Sequence, residues 1–396
     1  MKISFEIVTC TKIKNTLKLL VISSAPIVQK DNQNHLYTPY EKEMQLWAKH
    51  TDSIQFCCPI WKEDRKLLIA PISFDVEAIH EIQEFDSTSF LNKLKAIPLA
   101  ILALIKIFKA IQQADHIHLR CPGNIALLAC FVQIFFPKKV KTAKYAGNWD
   151  PKAKQPWSYR LQKWLLSNTF LTRNMQVLVY GEWPNQTKNV KPFFTATYSE
   201  SEIQNLEFSI QNKSFPTPNS QLPTSFLFVG TLSKGKQPLY VVQLVEELHK
   251  KGKKVMLDLY GEGVLRKELE QYINQHNLQA IVTLQGNQTK ETVLKAYQTS
   301  HFLILPSKSE GWPKVVAEAM FWGCVPLASP VSCVPYMLGN GSRGVVLQEN
   351  LRADSNQLLA LIHDPETYQK MVYEGQNWSR QFTTDKFEAE IKKLLR

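Results

Sequence analysis

The sequence predicts an α/β protein made of two doubly wound, Rossmann-like domains. Three observations point there. The chain has 396 residues, more than a single hydrophobic core usually fills. Short apolar runs alternate with amphipathic segments of helix length. A stretch rich in Pro, Asn and Ser separates two such alternating halves. A hydrophobic content of 44% with ordinary Gly and Pro counts excludes a disordered or fibrous chain.

The opening "MKISFEIVTCTKIKN" is broken by Glu6 and too short in its apolar part for a signal peptide, so it reads as an extension or an early strand. "LKLLVISSAP" follows as a strand, "TPYEKEMQLWAKH" as a helix, and "SIQFCCP", "KLLIAPI", "HIHLR", "VKTAKYAG" and "MQVLVYG" as further strands. The apolar runs "AIPLAILALI" and "IALLACFVQIFF" are shorter than the roughly 18 to 20 residues of a membrane-spanning helix. This first domain covers 1–204, and the three prolines of "NLEFSIQNKSFPTPNSQLPTS" mark 205–223 as a linker.

The second half alternates more cleanly. Strands "FLFVG", "KVMLDLYG", "AIVTLQG", "HFLILP", "CVPLAS" and "SRGVVLQ" are separated by the helices "PLYVVQLVEELHKKG", "LRKELEQYINQHN", "KETVLKAYQTS" and "PKVVAEAMFWG". Strands and helices in this order imply a parallel sheet covered on both faces. The second domain covers 224–370. A terminal helix over 371–396, with Trp378, Phe382 and Phe387, needs a surface to cover and is expected to pack back on the first domain.

The seven cysteines are scattered through apolar runs with no Cys-x-x-Cys pair and no His at ligand spacing, which points to a reduced, cytoplasmic protein without a metal site. A net charge of +12 calls for an anionic partner. Nucleic acid is excluded for want of a recognition motif or a basic helix interleaved with aromatics. Lys93, Lys95, Lys106, Lys109, Lys138, Lys139, Lys141 and Lys144 gather around the apolar helices of the first half. Such a face suits peripheral contact with an anionic membrane, and equally a solvated rim over a buried helix.

The chemistry concentrates in "SKSEGWPKVVAEAM", which sets Glu310 and Glu318 with seven residues between them. Pro313 suits a first helical residue and Gly323 a left-handed close, so a helix runs from Pro313 to Trp322. Its first amides, from Lys314 and Val315 onward, form an anion site at the positive end of the helix dipole. Glu318 then lies about 7 to 8 Å further along the axis. A diphosphate at the helix start would leave Glu318 one ribose away and Glu310 on the far side, beside a sugar. Lys314 and Glu318 are also an i, i+4 pair, and an ordinary surface salt bridge explains that spacing as well.

Glycines mark the preceding loops. Gly230 and Gly235 stand with Lys234 and Lys236 in "FVGTLSKGKQP", Gly261 and Gly263 in "LYGEGVLRKEL", where small residues permit close approach of a flat ligand, and Gly286 with Asn287 in "LQGNQTKE". From Ser225 to about Leu347, the order "FVGTL...K", "LDLYGEG", "VTLQG", "FLILPSKSEGWPKVVAEAM", "GCVPLAS" resembles the catalytic domain of the GT-B glycosyltransferases of family 4, also called group 1. The two acids are similar to that family's Glu-x7-Glu motif.

The resemblance implies a cleft between two Rossmann-like domains, with an acceptor domain first and a nucleotide-sugar donor domain second. It also implies retaining transfer without an obligatory metal or other cofactor. By motif position, Glu310 would contact donor sugar hydroxyls, Glu318 the ribose, Lys236 the diphosphate, and the loop at Gly286 and Asn287 the base. Gly311, Trp312 and Pro313, with the amides behind them, would face sugar and phosphates.

Two departures stand out. Thr231 occupies the position where the family usually has Arg, so one phosphate-binding cation is either missing or supplied by Lys234, Arg120 or Arg343. The family's first-domain Gly-Gly loop is missing from "SSAPIVQKDNQNHLYTPY". In "ADHIHLRCPGN", Asp115 and His118 match the family's Asp-x-x-His-x-His stretch and Arg120 falls where the second His stands. His118 and Arg120 are thus catalytic candidates, while His116 reads as a core imidazole. Asn148 and Trp149 in "KYAGNWDPK" suit a sugar acceptor, or a capped loop.

The reading implies a hexosyltransferase that takes a nucleotide diphosphate sugar and a glycan or lipid-linked glycan acceptor, in envelope polysaccharide synthesis at the inner face of the membrane. A GT-B epimerase or hydrolase of sugar nucleotides, and a non-catalytic sugar-nucleotide binding subunit, are the alternatives.

Overall fold

The computed structural model describes residues 16–63, 65, 67–84, 90–204 and 222–395, with 90–96 as backbone only. The N-terminal extension and positions 205–221 of the expected linker lie outside the described residues. Two compact units emerge: Met1–Ala143 with Phe170–Met175 and Leu395–Arg396, and Lys144–Thr169 with Gln176–Leu394.

The first unit carries strands β1 (Lys18–Ser23), β2 (Ile27–Lys30), β3 (Gln33–Tyr37), β4 (Ser53–Cys58), β5 (Ile60–Trp61), β6 (Ile69–Pro71), β7 (Ala78–Glu81) and β8 (His116–Cys121). Its helices are α1 (Thr38–Ala48), α2 (Phe90–Gln113) and α3 (Asn124–Val132), and β9 (Val140–Tyr145) falls on the division. Strands β8, β1, β4 and β7 lie side by side in that order and parallel. Leu19, Leu20, Val21 and Ile22 of β1 are fully buried, as a continuous apolar run covered on both faces requires. The small sheet β5-β2-β3-β6 is an addition to the expected architecture. Its hairpin turns at Asp31 and Asn32, whose φ values of 53° and 57° suit the tight turns that join twisted strands.

His116 and His118 both point at Thr142, with His116 Nε2 at 3.0 Å and His118 Nδ1 at 2.8 Å from its Oγ1. A hydroxyl has one proton to give, so at most one imidazole accepts from it and at least one donates to it. The Trp47 ring lies 4.4 Å from that of His118. Burial pushes the His116 pKa down to about 4, against about 6.5 in an unfolded chain. The unfolded state therefore binds the extra proton between those values. Stability is full above about pH 6.5 and falls by on the order of 3 kcal/mol as pH drops toward 4. Urea titrations at pH 7 and 4.5 are expected to show that loss in the wild type and a flatter response in His116→Gln.

The second unit begins with α4 (Trp157–Ser167), β10 (Met175–Tyr180), β11 (Val190–Phe193) and α5 (Glu200–Gln204). It continues with β12 (Thr224–Val229), α6 (Pro238–Lys250), β13 (Val255–Tyr260), α7 (Arg266–Gln275), β14 (Val282–Gly286), α8 (Lys290–Thr299), β15 (Phe302–Leu305), α9 (Lys314–Phe321), β16 (Val325–Ala328), α10 (Val334–Met337) and β17 (Val345–Val346). Helices α11 (Leu351–Ile362), α12 (Pro365–Ser379) and α13 (Thr384–Leu394) end the chain. The strand order β14-β13-β12-β15-β16-β17 is parallel throughout. From β12 the chain builds outward one way and from β15 the other, so the winding reverses between these two neighbours. Ligands in open α/β sheets bind beyond the carboxyl ends of the strands at such a point.

Two details differ from expectation. Pro313 is the N-cap of α9, with ψ of 95°, and helical geometry begins at Lys314. The terminal segment is two helices, because Asp364 caps α12 through the Thr367 amide and Thr383 starts α13 by accepting from the Lys386 amide at 3.1 Å. Phe387 of α13 packs against Phe193 and Phe194, at 5.3 and 5.7 Å between ring centres. The last helix thus covers a segment from the first half of the sequence.

Candidate functional site

The reversal between β12 and β15 brings the loops after these strands together. Gln237 takes the left-handed conformation, with φ of 51°, and its Nε2 donates to the Pro306 carbonyl at 2.5 Å. The Lys308 amide donates to the Gly235 carbonyl at 2.9 Å. Held this way, Lys236 Nζ donates to Glu310 Oε1 at 2.5 Å. The Glu310 side chain is 9% exposed and that of Lys236 30%, so the pair is shielded but open on the lysine side.

Behind Glu310 the chain is fixed by close backbone packing. A Cβ on Gly311 would stand 2.5 Å from the Ala146 carbonyl oxygen, which leaves no room for any side chain. The Gly311 carbonyl accepts from Ser332 Oγ at 3.1 Å and Cys333 Sγ at 3.0 Å. Burial pushes the Cys333 thiol up to about 12, keeping it a neutral donor. Trp312 lies among Tyr180, Trp378 and Phe382, at 5.9, 5.9 and 5.5 Å between ring centres. Helix α9 then starts with no side chain capping it, and Gly323, with φ of 71°, closes it.

Glu318, one turn into α9, accepts from Thr197 Oγ1 at 2.8 Å and Tyr297 Oη at 3.1 Å. Burial raises the Tyr297 and Tyr198 phenols, and the Glu318 carboxylate adds to the shift, so both stay protonated. Thr197 carried no signal in the sequence, and Tyr297 read only as an apolar position of a helix. A carboxylate has about four acceptor sites, so two hydroxyls leave Glu318 able to take further donors.

The glycines of the second loop serve the protein's own backbone. A Cβ on Gly261 would stand 2.0 Å from the Gly230 oxygen, and one on Gly263 2.4 Å from the Leu232 oxygen. The gain is a pair of bridges, Gly230 amide to Tyr260 carbonyl and Leu232 amide to Glu262 carbonyl, both 2.9 Å. Gly286 has φ of 69° and would place a Cβ 2.9 Å from Glu262 Oε1. Glu262 pairs with Arg266 at 2.5 Å. Thr231, Lys234 and Asn287 are exposed at the loop rims.

The remaining sequence-selected residues lie in other settings. Arg120 belongs to the first unit, paired with Glu43 at 3.1 Å and stacked 4.1 Å from the Tyr40 ring centre. His118 is fully buried. Asn148 Oδ1 accepts from the Asp150 amide at 2.8 Å, a capped loop, and Trp149 is 2% exposed with Nε1 donating to Gln186. Arg343 is held by the Met337 and Tyr336 carbonyls over Trp378. Lys234 follows β12 in the same loop as Lys236 and is exposed.

The parallel sheet thus reverses at a paired Lys and Glu, beside an uncapped helix start, and the α/β fold is that of GT-B glycosyltransferase structures. It matches the crystal structure of Anabaena HepE in complex with UDP with a TM-score of 0.63 at 14% identity, over 96% of this chain and 99% of that one. Residues 209–378 match the family described as Glycosyl transferases group 1. The chain is 25% identical over 169 residues to an uncharacterized glycosyltransferase of Methanocaldococcus jannaschii, covering 42% of this chain and 46% of that protein. It is also 25% identical over 147 residues to the alpha-D-kanosaminyltransferase of Streptomyces kanamyceticus, covering 37% and 38%. The match thus spans less than half the length of either curated relative.

Proposed function

We propose that the chain is a retaining glycosyltransferase of hexosyltransferase type, within family 4. It moves a sugar from a nucleotide diphosphate sugar to a glycan or lipid-linked glycan in envelope polysaccharide synthesis, in the cytoplasm at the inner face of the membrane. The Lys236–Glu310 pair at the reversal of the sheet, inside the segment that matches the group 1 family, carries the reading.

A donor diphosphate would take Lys236, with Lys234 and the first amides of α9 beside it. Their charge stabilises the leaving diphosphate, the largest demand of the reaction. Glu310, released from Lys236, accepts hydrogen bonds from the transferred sugar's hydroxyls. Glu318, steadied by Thr197 and Tyr297, takes the ribose hydroxyls, and the rim at Gly286 and Asn287 the base. The acceptor hydroxyl attacks on the face the diphosphate leaves, the C–O bond to phosphate breaks as the new glycosidic bond forms, and a donor phosphate oxygen takes the proton. No metal or other cofactor is needed in this scheme.

A thermal-shift panel of UDP, GDP, ADP and their sugars tests the donor site. A nucleotide at about 100 times its Kd is expected to add about 2.7 kcal/mol of stability, seen as a rise in Tm of several degrees. The absence of any nucleotide shift would remove the reading. Turnover without an acceptor would favour a hydrolase or epimerase, and binding without turnover a silent binding subunit.

A further inference from the structure

Helix α2 keeps Ala103, Ile107, Ala110 and Ile111 buried, yet its other face is apolar too. Ile97, Ile101, Leu102, Ile105 and Phe108 are 55%, 52%, 57%, 48% and 38% exposed. Spacings of three and four residues put them on one stripe. The stripe continues onto neighbouring segments: Phe108 meets Phe136 at 4.9 Å between ring centres, beside Phe135, which is 74% exposed. Gln133 Nε2 then donates to the Leu171 carbonyl at 3.1 Å, next to Phe170, 70% exposed under the Arg173 guanidinium. Large apolar side chains exposed together on one helix face and its neighbouring segments mark an interaction site.

Charge decides the partner. From Ser87 to Trp149 the sequence has nine Lys and Arg and a single acid, Asp115, whose carboxylate is taken by the Lys18 amide. Lys109 and Lys138 are exposed beside the apolar stripe, while Lys106, also exposed, donates to the Glu81 carbonyl at 2.7 Å. A second copy of this chain would set lysine against lysine across a two-fold axis. A bilayer of anionic lipid offers both an apolar interior and a negative rim. No helix among the described residues is long and apolar enough to cross a membrane, so α2 would lie along the surface.

We propose that the exposed face of α2, with Phe135 and Phe170, inserts into the headgroup boundary of an anionic bilayer while Lys109 and Lys138 bind lipid phosphates. The proposal deepens the membrane-side reading given above and rests on it. Flotation with phosphatidylcholine vesicles, with and without about 30 mol% phosphatidylglycerol, tests it. The full chain is expected to float with the anionic vesicles alone. Lys109→Glu and Lys138→Glu are each expected to weaken binding at least about five-fold at low salt. Ile101→Asp is expected to abolish it, and a Trp at Ile101 to shift its fluorescence to the blue on binding.

Failure to float, binding that survives Ile101→Asp, or a wild-type dimer that Ile101→Asp turns into a monomer would each overturn the proposal. All these residues are exposed, and an unchanged nucleotide thermal shift verifies that each variant is folded. Lost flotation with a retained nucleotide shift refutes the membrane face alone, whereas a lost nucleotide shift in the wild type refutes the donor site.

Discussion

Glu310→Ala is expected to lower the transfer rate by about 10³-fold while nucleotide binding persists. In the proposed scheme the carboxylate holds the sugar and not the nucleotide, so the loss is expected on kcat and not on the nucleotide Kd. Lys236→Ala is expected to cost about 10²-fold in kcat/KM and to weaken nucleotide binding as well, because the diphosphate loses its nearest cation. The two side chains touch at 2.5 Å, so the double variant should fall close to the worse single and well short of the product of the two. Steady-state kinetics with calorimetric nucleotide titrations separate these outcomes. Full transfer by Glu310→Ala would end the assignment of the site.

Gly261→Ala is expected to be the most damaging small substitution in the second unit. The backbone has φ of 133° and a Cβ would sit 2.0 Å from the Gly230 oxygen, so the loops after β12 and β13 would have to part and lose their bridges. Strain of this class costs about 4 kcal/mol. Gly252→Ala is the control: φ is 81° there, but nothing lies within 4 Å, so only the conformational cost of about 1 kcal/mol remains. Urea unfolding of the two variants should show that contrast. Equal losses would mean that the close approach to Gly230 contributes nothing.

How much of this was legible depended on whether a residue's role is local. The second half could be read almost strand by strand, because each strand of a doubly covered parallel sheet is a short apolar run bounded by turn residues. The motif loops were legible too, since Glu310 and Lys236 follow strands that the alternation identifies. The reason for the glycines was not. Gly261 and Gly263 were read as room for a flat ligand, whereas their Cβ positions are occupied by neighbouring backbone, a contact between loops 31 residues apart. The hydroxyls on Glu318 come from positions 197 and 297, and no pattern in one segment announces them. The hairpin of the small sheet does carry a signal, adjacent Asp31 and Asn32, but its flanking strands of four and five residues are too short for a clear alternation.

Under the proposed function, the Lys236–Glu310 contact also sets what the site refuses. The pair carries no net charge, so an arriving polyphosphate must take the ammonium away from a carboxylate that is 9% exposed. Inorganic diphosphate, or a nucleotide ending in phosphate, leaves that carboxylate shielded from water with nothing to accept from, a costly state. A sugar beyond the phosphates brings hydroxyls that replace the lost donor. On that reading the ion pair acts as a built-in competitor that common cellular phosphates must displace without recompense and that a sugar nucleotide displaces by exchange.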